Sequence, residues 1–294
     1  MDLRAYLDCQ QKLIDAELDR LVPPETTPPE TIHRAMRYSL FAGGKRIRPL
    51  LCMEAAHCIS GDALGVETAA CSLELIHTYS LIHDDLPALD NDDYRRGRLT
   101  CHKVFGEAMA ILAGDALLTL AFHVLATLPA MAHERKVRLM AELSEAAGTP
   151  GGMIAGQVAD LEGEGRPPDA QLLESIHRAK TGALLRASVR MGAVYAGAAA
   201  EQYERLSSYG EHIGLAFQIV DDILDVEETS QALGKTAGKD AAQHKITFPA
   251  VYGLEESKRM AERERALAHE ALAGFGDRAQ RLRELADLIV HRKA

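Results

Sequence analysis

The sequence predicts an all-α protein, read as one large helical bundle over residues 1–294. Three observations predict it. Ala and Leu, both strong helix formers, supply 84 of the 294 residues. Aromatic residues are only 5%, Trp is absent, and the alternating β-branched runs that strands need are hard to find. The 11 prolines punctuate the chain, and none falls between Pro168 and Pro249. That pattern reads as helices separated by short loops.

The elements follow in order. Residues 2–21 form a first helix, ended by the loop LVPPETTPPE. A second runs from about 32 to 42 and stops at Gly43-Gly44. A third starts after Pro49 and ends near Gly61. A fourth, about 65–85, is mostly apolar and leads into an acid-rich loop. The fifth spans about 106–128, the sixth 134–147, and the seventh includes 153–161 before the loop DLEGEGRPP. Asp169 can cap an eighth, from 170 to about 196. The ninth spans 201–226. After a loop bearing Gly and Lys, helices remain near 247–256, 257–273 and 277–292. No linker or short-period repeat divides the chain, so one large domain is the economical reading.

Composition excludes several classes. With 47% hydrophobic and 26% charged residues, the chain is neither disordered nor fibrous. A net charge of −10 makes it a poor general binder of nucleic acid or anionic membranes. A polyanionic ligand therefore needs a local basic patch or bridging cations. The five cysteines, Cys9, Cys52, Cys58, Cys71 and Cys101, are widely spaced and form no CxxC pair. That argues against a disulfide scaffold or zinc site and for a reducing compartment. The start is charged, without the apolar core of a signal peptide. The uncharged run 116–132 contains His123 and Pro129 and is poor for a membrane span. The expectation is a soluble cytoplasmic protein with no stable membrane insertion.

Two acidic motifs carry the chemistry. LIHDDLPALDNDDYRRGR, at 81–98, holds Asp84, Asp85, Asp90, Asp92 and Asp93; FQIVDDILD, at 217–225, holds Asp221, Asp222 and Asp225. Asp221 and Asp225 are four apart and share a helix face, which costs stability unless a cation sits between them. On an ideal helix Asp84 and Asp90 would point about 240° apart. Pro87 lies between them and can end the helix, letting Asp90 swing back. Each run could be a solvated face, but two such clusters suit Mg²⁺, which takes one or two carboxylates plus phosphate oxygens.

Basic motifs answer the acidic ones: GGKRIRP with Lys45, Arg46 and Arg48; RRGR with Arg95, Arg96 and Arg98; AKTG with Lys180 and Thr181; GKTAGKD with Lys235 and Lys239. None is a nucleotide phosphate loop.

Together GGKRIRP, ELIHTYSLIHDDLPALDNDDYRRG, LAGDALL, AKTG, FQIVDDILD and GKTAGKD resemble the trans-isoprenyl diphosphate synthases, and most of all the bacterial farnesyl diphosphate synthases. The matching stretches cover residues 43–240, in family order. The resemblance implies an isoprenoid-synthase bundle with a central cavity, usually a homodimer, with two aspartate motifs facing across it. It implies three Mg²⁺ ions bridging them to an allylic diphosphate. Asp84, Asp90 and Asp221 are the expected direct ligands, with Asp85 and Asp225 as further ligands or supports. Arg95, Lys180 and Lys235 are expected to hold the allylic diphosphate. Lys45, Arg48, His77 and Arg96 are expected on isopentenyl diphosphate, and Thr181 and Gln218 beside the reacting carbon. His83 and Asp115 are read as structural, and Lys239 as a lid residue.

The implied reaction is head-to-tail (1'-4) condensation of isopentenyl diphosphate with dimethylallyl or geranyl diphosphate. Tyr79 and Ser80 lie one turn before Asp84. A bulky Tyr79 there should stop the product at farnesyl diphosphate (C15). The alternatives are a geranylgeranyl (C20) synthase, a class I terpene cyclase, or a non-catalytic subunit. Lys45, Arg48 and His77 weigh against the cyclase, and the retained aspartates weigh against the subunit.

Overall fold

The computed structural model describes residues 2–62, 64–165, 167, 169–227 and 246–292. Two compact units make up the chain: Met1–Leu50 with Leu64–Met140, and Leu51–Ala63 with Ala141–Ala294.

The first unit contains α1 (Leu3–Leu21), α2 (Glu30–Leu40), the start of α3 (Ile47–Ser60), α4 (Val66–Asp84), a hairpin of β1 (Tyr94–Arg95) and β2 (Arg98–Leu99), α5 (Cys101–Phe105), α6 (Glu107–Ala126) and the first half of α7 (His133–Ala147). α4 is apolar on nearly every face, with Ala69, Leu73, Leu75, Ile76, Tyr79 and Ile82 among its buried residues. A helix of that kind belongs inside a unit. It packs against α6, whose buried residues include Ala110, Ala113, Leu117, Ala121 and Leu125. α6 is long and apolar enough, by length and composition, to cross a membrane. It also leaves Ile111 and Leu112 exposed.

The second unit contains the rest of α3 and α7, then α8 (Met153–Gly163), α9 (Ala170–His177), a π-helical turn (Arg178–Gly182), α10 (Ala183–Ala196), α11 (Ala200–Glu227), α12 (Phe248–Tyr252), α13 (Leu254–Ala271), a 3₁₀ segment (Ala273–Ala279) and α14 (Gln280–His291). Its core gathers Leu173, Leu215, Ile219, Ile223, Phe248 and Ala261. Tyr209 is buried and donates to the Leu282 carbonyl at 2.6 Å, fixing α11 to α14. Glu142 and Arg190 form a 2.8 Å ion pair, and Tyr203 donates to the same carboxylate, tying α7, α10 and α11 together.

The expected helices are present to within a few residues, and Asp169 caps α9 by accepting the Leu172 N–H at 2.7 Å. Four details differ. Glycine at 253, with φ of 81°, separates α12 from α13, several residues before the expected break. The expected eighth helix is interrupted by the π-helical turn. A fifth, short helix precedes Gly106. RRGR folds as a hairpin because Arg96 and Gly97 both take positive φ, 53° and 74°. That is the two-residue turn that matches strand twist.

Candidate active site

The first acidic motif sits where α4 ends. The last helical residue is Asp84, three before Pro87. Beyond it the chain folds back on itself. The Asp90 N–H donates to the Asp84 carbonyl at 2.8 Å, and the Asp92 N–H to the Asp85 carbonyl at 3.2 Å. Residues six apart are thereby tied together, beyond the point where Pro87 ends the helix. Asp85 is buried and holds Arg95, whose Nη2 and Nε lie 2.6 and 2.8 Å from Oδ1, with Nε also 3.0 Å from Oδ2. Burial pushes its carboxyl up, against the pull of Arg95. Asp93 pairs with Lys103 at 2.9 Å.

The basic groups of this unit split by role. Arg46 is buried, bonded to Glu74 at 2.7 Å, Asp15 at 2.8 Å and the Leu40 carbonyl at 2.7 Å. It anchors the loop from inside, while Lys45 on one side of it is exposed. Arg96 donates to the Gly43 carbonyl. A Cβ on Gly44, whose φ is +136°, would lie 2.7 Å from Arg96 Nη1, so the glycine makes room for the guanidinium. His77 stands among these cations. Burial, then Arg48, Arg96, Arg95 and Arg46, hold its pKa well below the usual histidine value. It is neutral at pH 7.

In the second unit, α11 carries Gln218, Asp221 and Asp225, all at least partly accessible. Asp222 points the other way. It is buried and caps α12 by accepting the Phe248 N–H at 2.8 Å, with His177 Nε2 3.3 Å away. Asp221 pairs with Arg292 at 2.5 Å. Lys180 and Thr181 lie in the π-helical turn, a form often found at functional sites. The turn is held by close backbone approach. A Cβ on Gly156 would meet the Lys180 nitrogen at 2.1 Å, and one on Gly214 would meet the Gly182 Cα at 2.9 Å. Lys180 Nζ pairs with Asp160 Oδ2 of α8 at 2.6 Å. Lys235 and Lys239 lie outside the described residues.

Residues 29–285 match the polyprenyl synthetase family, a stretch that runs through both units. The chain belongs to that family. The heterodimeric geranylgeranyl pyrophosphate synthase large subunit 1 of Arabidopsis thaliana, a chloroplastic protein, is 47% identical over 99% of this chain and 80% of its own. Among solved structures, a geranylgeranyl pyrophosphate synthetase from Pyrococcus horikoshii superposes with a TM-score of 0.90 at 31% identity, covering 99% of this chain and 98% of that one. An FPP/GFPP synthase from Zymomonas mobilis gives 0.87 at 35% identity, covering 98% of each chain. This polyprenyl synthetase is therefore an all-α prenyltransferase of the isoprenyl synthase fold, a trans-prenyl diphosphate synthase. Its family works on isopentenyl and allylic diphosphates.

Among the described residues, no three His, Cys or carboxylate side chains converge into a closed metal cage. The donors come singly and in pairs on oxygen. Such a set suits Mg²⁺, which retains water and completes its shell with phosphate oxygens.

Two participants escaped the sequence reading. Asp160, the partner of Lys180, lies in the GQVADL segment without a neighbouring acidic motif to mark it. Arg292 lies 71 residues from Asp221, too far for any local pattern. Tyr79 is buried, its ring meets His83 edge-on at 5.7 Å, and its hydroxyl has no hydrogen-bond partner among the described residues. Burial pushes that hydroxyl's pKa up to about 12. The Ser80 hydroxyl donates to the His77 carbonyl at 2.9 Å.

Proposed function

We propose that this polyprenyl synthetase condenses isopentenyl diphosphate head-to-tail (1'-4) with dimethylallyl and geranyl diphosphates. The observation that carries the reading is the fold-back after Asp84, which brings Asp90 back to the end of α4, where Asp85 holds Arg95. In this reading Asp84, Asp90 and Asp221 hold Mg²⁺, three ions in all, supported by Asp85 and Asp225. When bound, the ions neutralise charge growing on the departing diphosphate. Arg95, Lys180 and Lys235 bind the same leaving group and stabilise that charge from the protein side. Lys45, Arg48 and Arg96 bind isopentenyl diphosphate, and neutral His77 donates a hydrogen bond there without adding charge. Thr181 and Gln218 present neutral oxygens beside the allylic carbon, where a stronger nucleophile would trap the cation. The allylic C–O bond breaks to leave a carbocation and diphosphate, and the double bond of isopentenyl diphosphate then attacks the cation. The released diphosphate then takes the proton lost from the new chain.

Product length divides the supporting observations. Tyr79, bulky and buried one turn below Asp84, supports farnesyl diphosphate. Two others support geranylgeranyl diphosphate. The curated relatives are mostly named for that product, and this favours C20 over C15. Ser80 is also small and lies about 40° from Asp84 around the helix, whereas Tyr79 lies about 140° away. Incubation with Mg²⁺, labelled isopentenyl diphosphate and geranyl diphosphate, then dephosphorylation and chromatography, tests both. Farnesol supports the Tyr79 floor, and geranylgeraniol supports the C20 reading. No incorporation by folded protein overturns the condensation itself.

The same reading treats residues 1–294 as one functional domain and the chain as a homodimer, with exposed Ile111 and Leu112 of α6 as its apolar contact. The cytoplasm is its proposed location, consistent with five free thiols.

A further inference from the structure

The Asp221 carboxylate is partly exposed, and it is occupied by a cation of the chain itself. Arg292 Nη2 lies 2.5 Å from Asp221 Oδ1. Three features show that this guanidinium is seated rather than loosely attracted. Its side chain is only 11% exposed, whereas that of Asp221 is 46% exposed. Its Cζ stacks 3.9 Å over the Phe217 ring. The same Nη2 also donates to the Phe217 carbonyl at 3.0 Å. Two of its three contacts therefore survive if Asp221 turns to another partner. Asp221 and Asp225 are four apart on α11, a like-charged pair that favours a nearby cation.

We propose that Arg292 is the resident counter-cation of Asp221 in the metal-free protein, and that it gives up this carboxylate when a divalent ion binds. Arg292 is a positioning residue: it touches neither substrate nor reacting atoms. It holds the carboxylate of α11 in place, and it competes for the first ion there. The inference rests on the reading of Asp221 as a metal ligand, and the experiment separates the two.

Mn²⁺ binding to the full chain is measured by electron paramagnetic resonance, without substrate and with inorganic diphosphate. Wild type, Arg292→Gln and Asp221→Asn are compared. Removing the competing charge should tighten Mn²⁺ binding without diphosphate about fivefold in Arg292→Gln, the scale of a partly exposed ion pair. Asp221→Asn should lose the site that the substitution strengthens. Unchanged or weaker binding in Arg292→Gln, with Asp221→Asn still impaired, overturns the proposal alone. Equal binding by Asp221→Asn and wild type overturns the metal reading of Asp221 and the proposal with it. Wild-type protein supplies a readout independent of any variant's folding. The Arg292 side-chain NMR signal should shift when Mg²⁺ and diphosphate are added, and an unmoved signal counts against displacement.

Discussion

Glu74→Gln tests how the basic loop is held. Arg46 and Glu74 are 2% and 3% exposed at their side chains and 2.7 Å apart. Burial works against the guanidinium's charge, and Glu74 and then Asp15 outweigh it. Breaking a buried pair by removing one partner costs about 3–5 kcal/mol, because a charge is left in a dry site. Asp15 remains at 2.8 Å, but it is 37% exposed, so its contact recovers no more than about 1 kcal/mol. The expected loss is therefore about 2–4 kcal/mol, read from urea unfolding followed by circular dichroism. Arg46→Met with Glu74→Leu removes both buried charges and should be less destabilised than Glu74→Gln alone, since the carboxylate that loses Arg46, Asp15, is 37% exposed and stays solvated. Lys45 and Arg48 flank Arg46, so Glu74→Gln should also raise KM for isopentenyl diphosphate. A loss under about 1 kcal/mol, or a double variant as unstable as the single one, would refute the reasoning.

The remaining predictions bear on the site. Asp84→Ala should lower turnover by several orders of magnitude and leave the circular dichroism spectrum intact; near-normal activity would remove that carboxylate from the mechanism. Tyr79→Ala should lengthen the main product if Tyr79 is the floor, and an unchanged product places the floor elsewhere. Gly156→Ala puts a methyl against the Lys180 backbone, 2.1 Å from its nitrogen, so the π-helical turn must move. A shift of that size should reduce kcat/KM by about 10- to 100-fold, and retained kcat/KM in a folded variant would exclude the turn from catalysis. His77 has a folded-state pKa below its unfolded one. Its neutral burial therefore favours folding above about pH 6.5, and that contribution is lost as pH falls toward the folded value. Melting temperature should drop between pH 7 and 5 less steeply in His77→Gln than in wild type; equal slopes would show that His77 does not contribute.

The helices were legible because apolar periodicity, proline and glycine are local signals. Asp169 announces the start of α9 by being followed by an apolar helical run, and its carboxylate does accept the Leu172 N–H. The π-helical turn was not legible. Nothing in RAKTG itself asks for a wider turn; the demand comes from Gly156 and Gly214, on two other helices, whose missing side chains let the backbone approach. The RRGR hairpin was read only as charge, although Arg96-Gly97 between short flanks is a turn signal.

The site separates along the same line. The fold-back at Asp84 was readable, because Pro87 acts on its own neighbourhood and the Asp90 N–H then finds the nearest unused helix carbonyl. What each charge is paired with was not readable. By sequence Arg95 and Lys180 are cations open to a diphosphate, yet they contact Asp85 and Asp160 at 2.6 Å. This changes the energetics of substrate binding. On the proposed reading, a diphosphate would not meet bare cations; it would join or replace a carboxylate at each one. The same exchange would apply with opposite sign at Asp221, where the proposed divalent ion would meet Arg292. Internal partners keep the charged groups compensated before substrate binds and limit the desolvation that unpaired charges would suffer. Binding then becomes an exchange of partners. On that reading its free energy would depend on the residues released, Asp85, Asp160 and Arg292, as much as on those that touch the ligand.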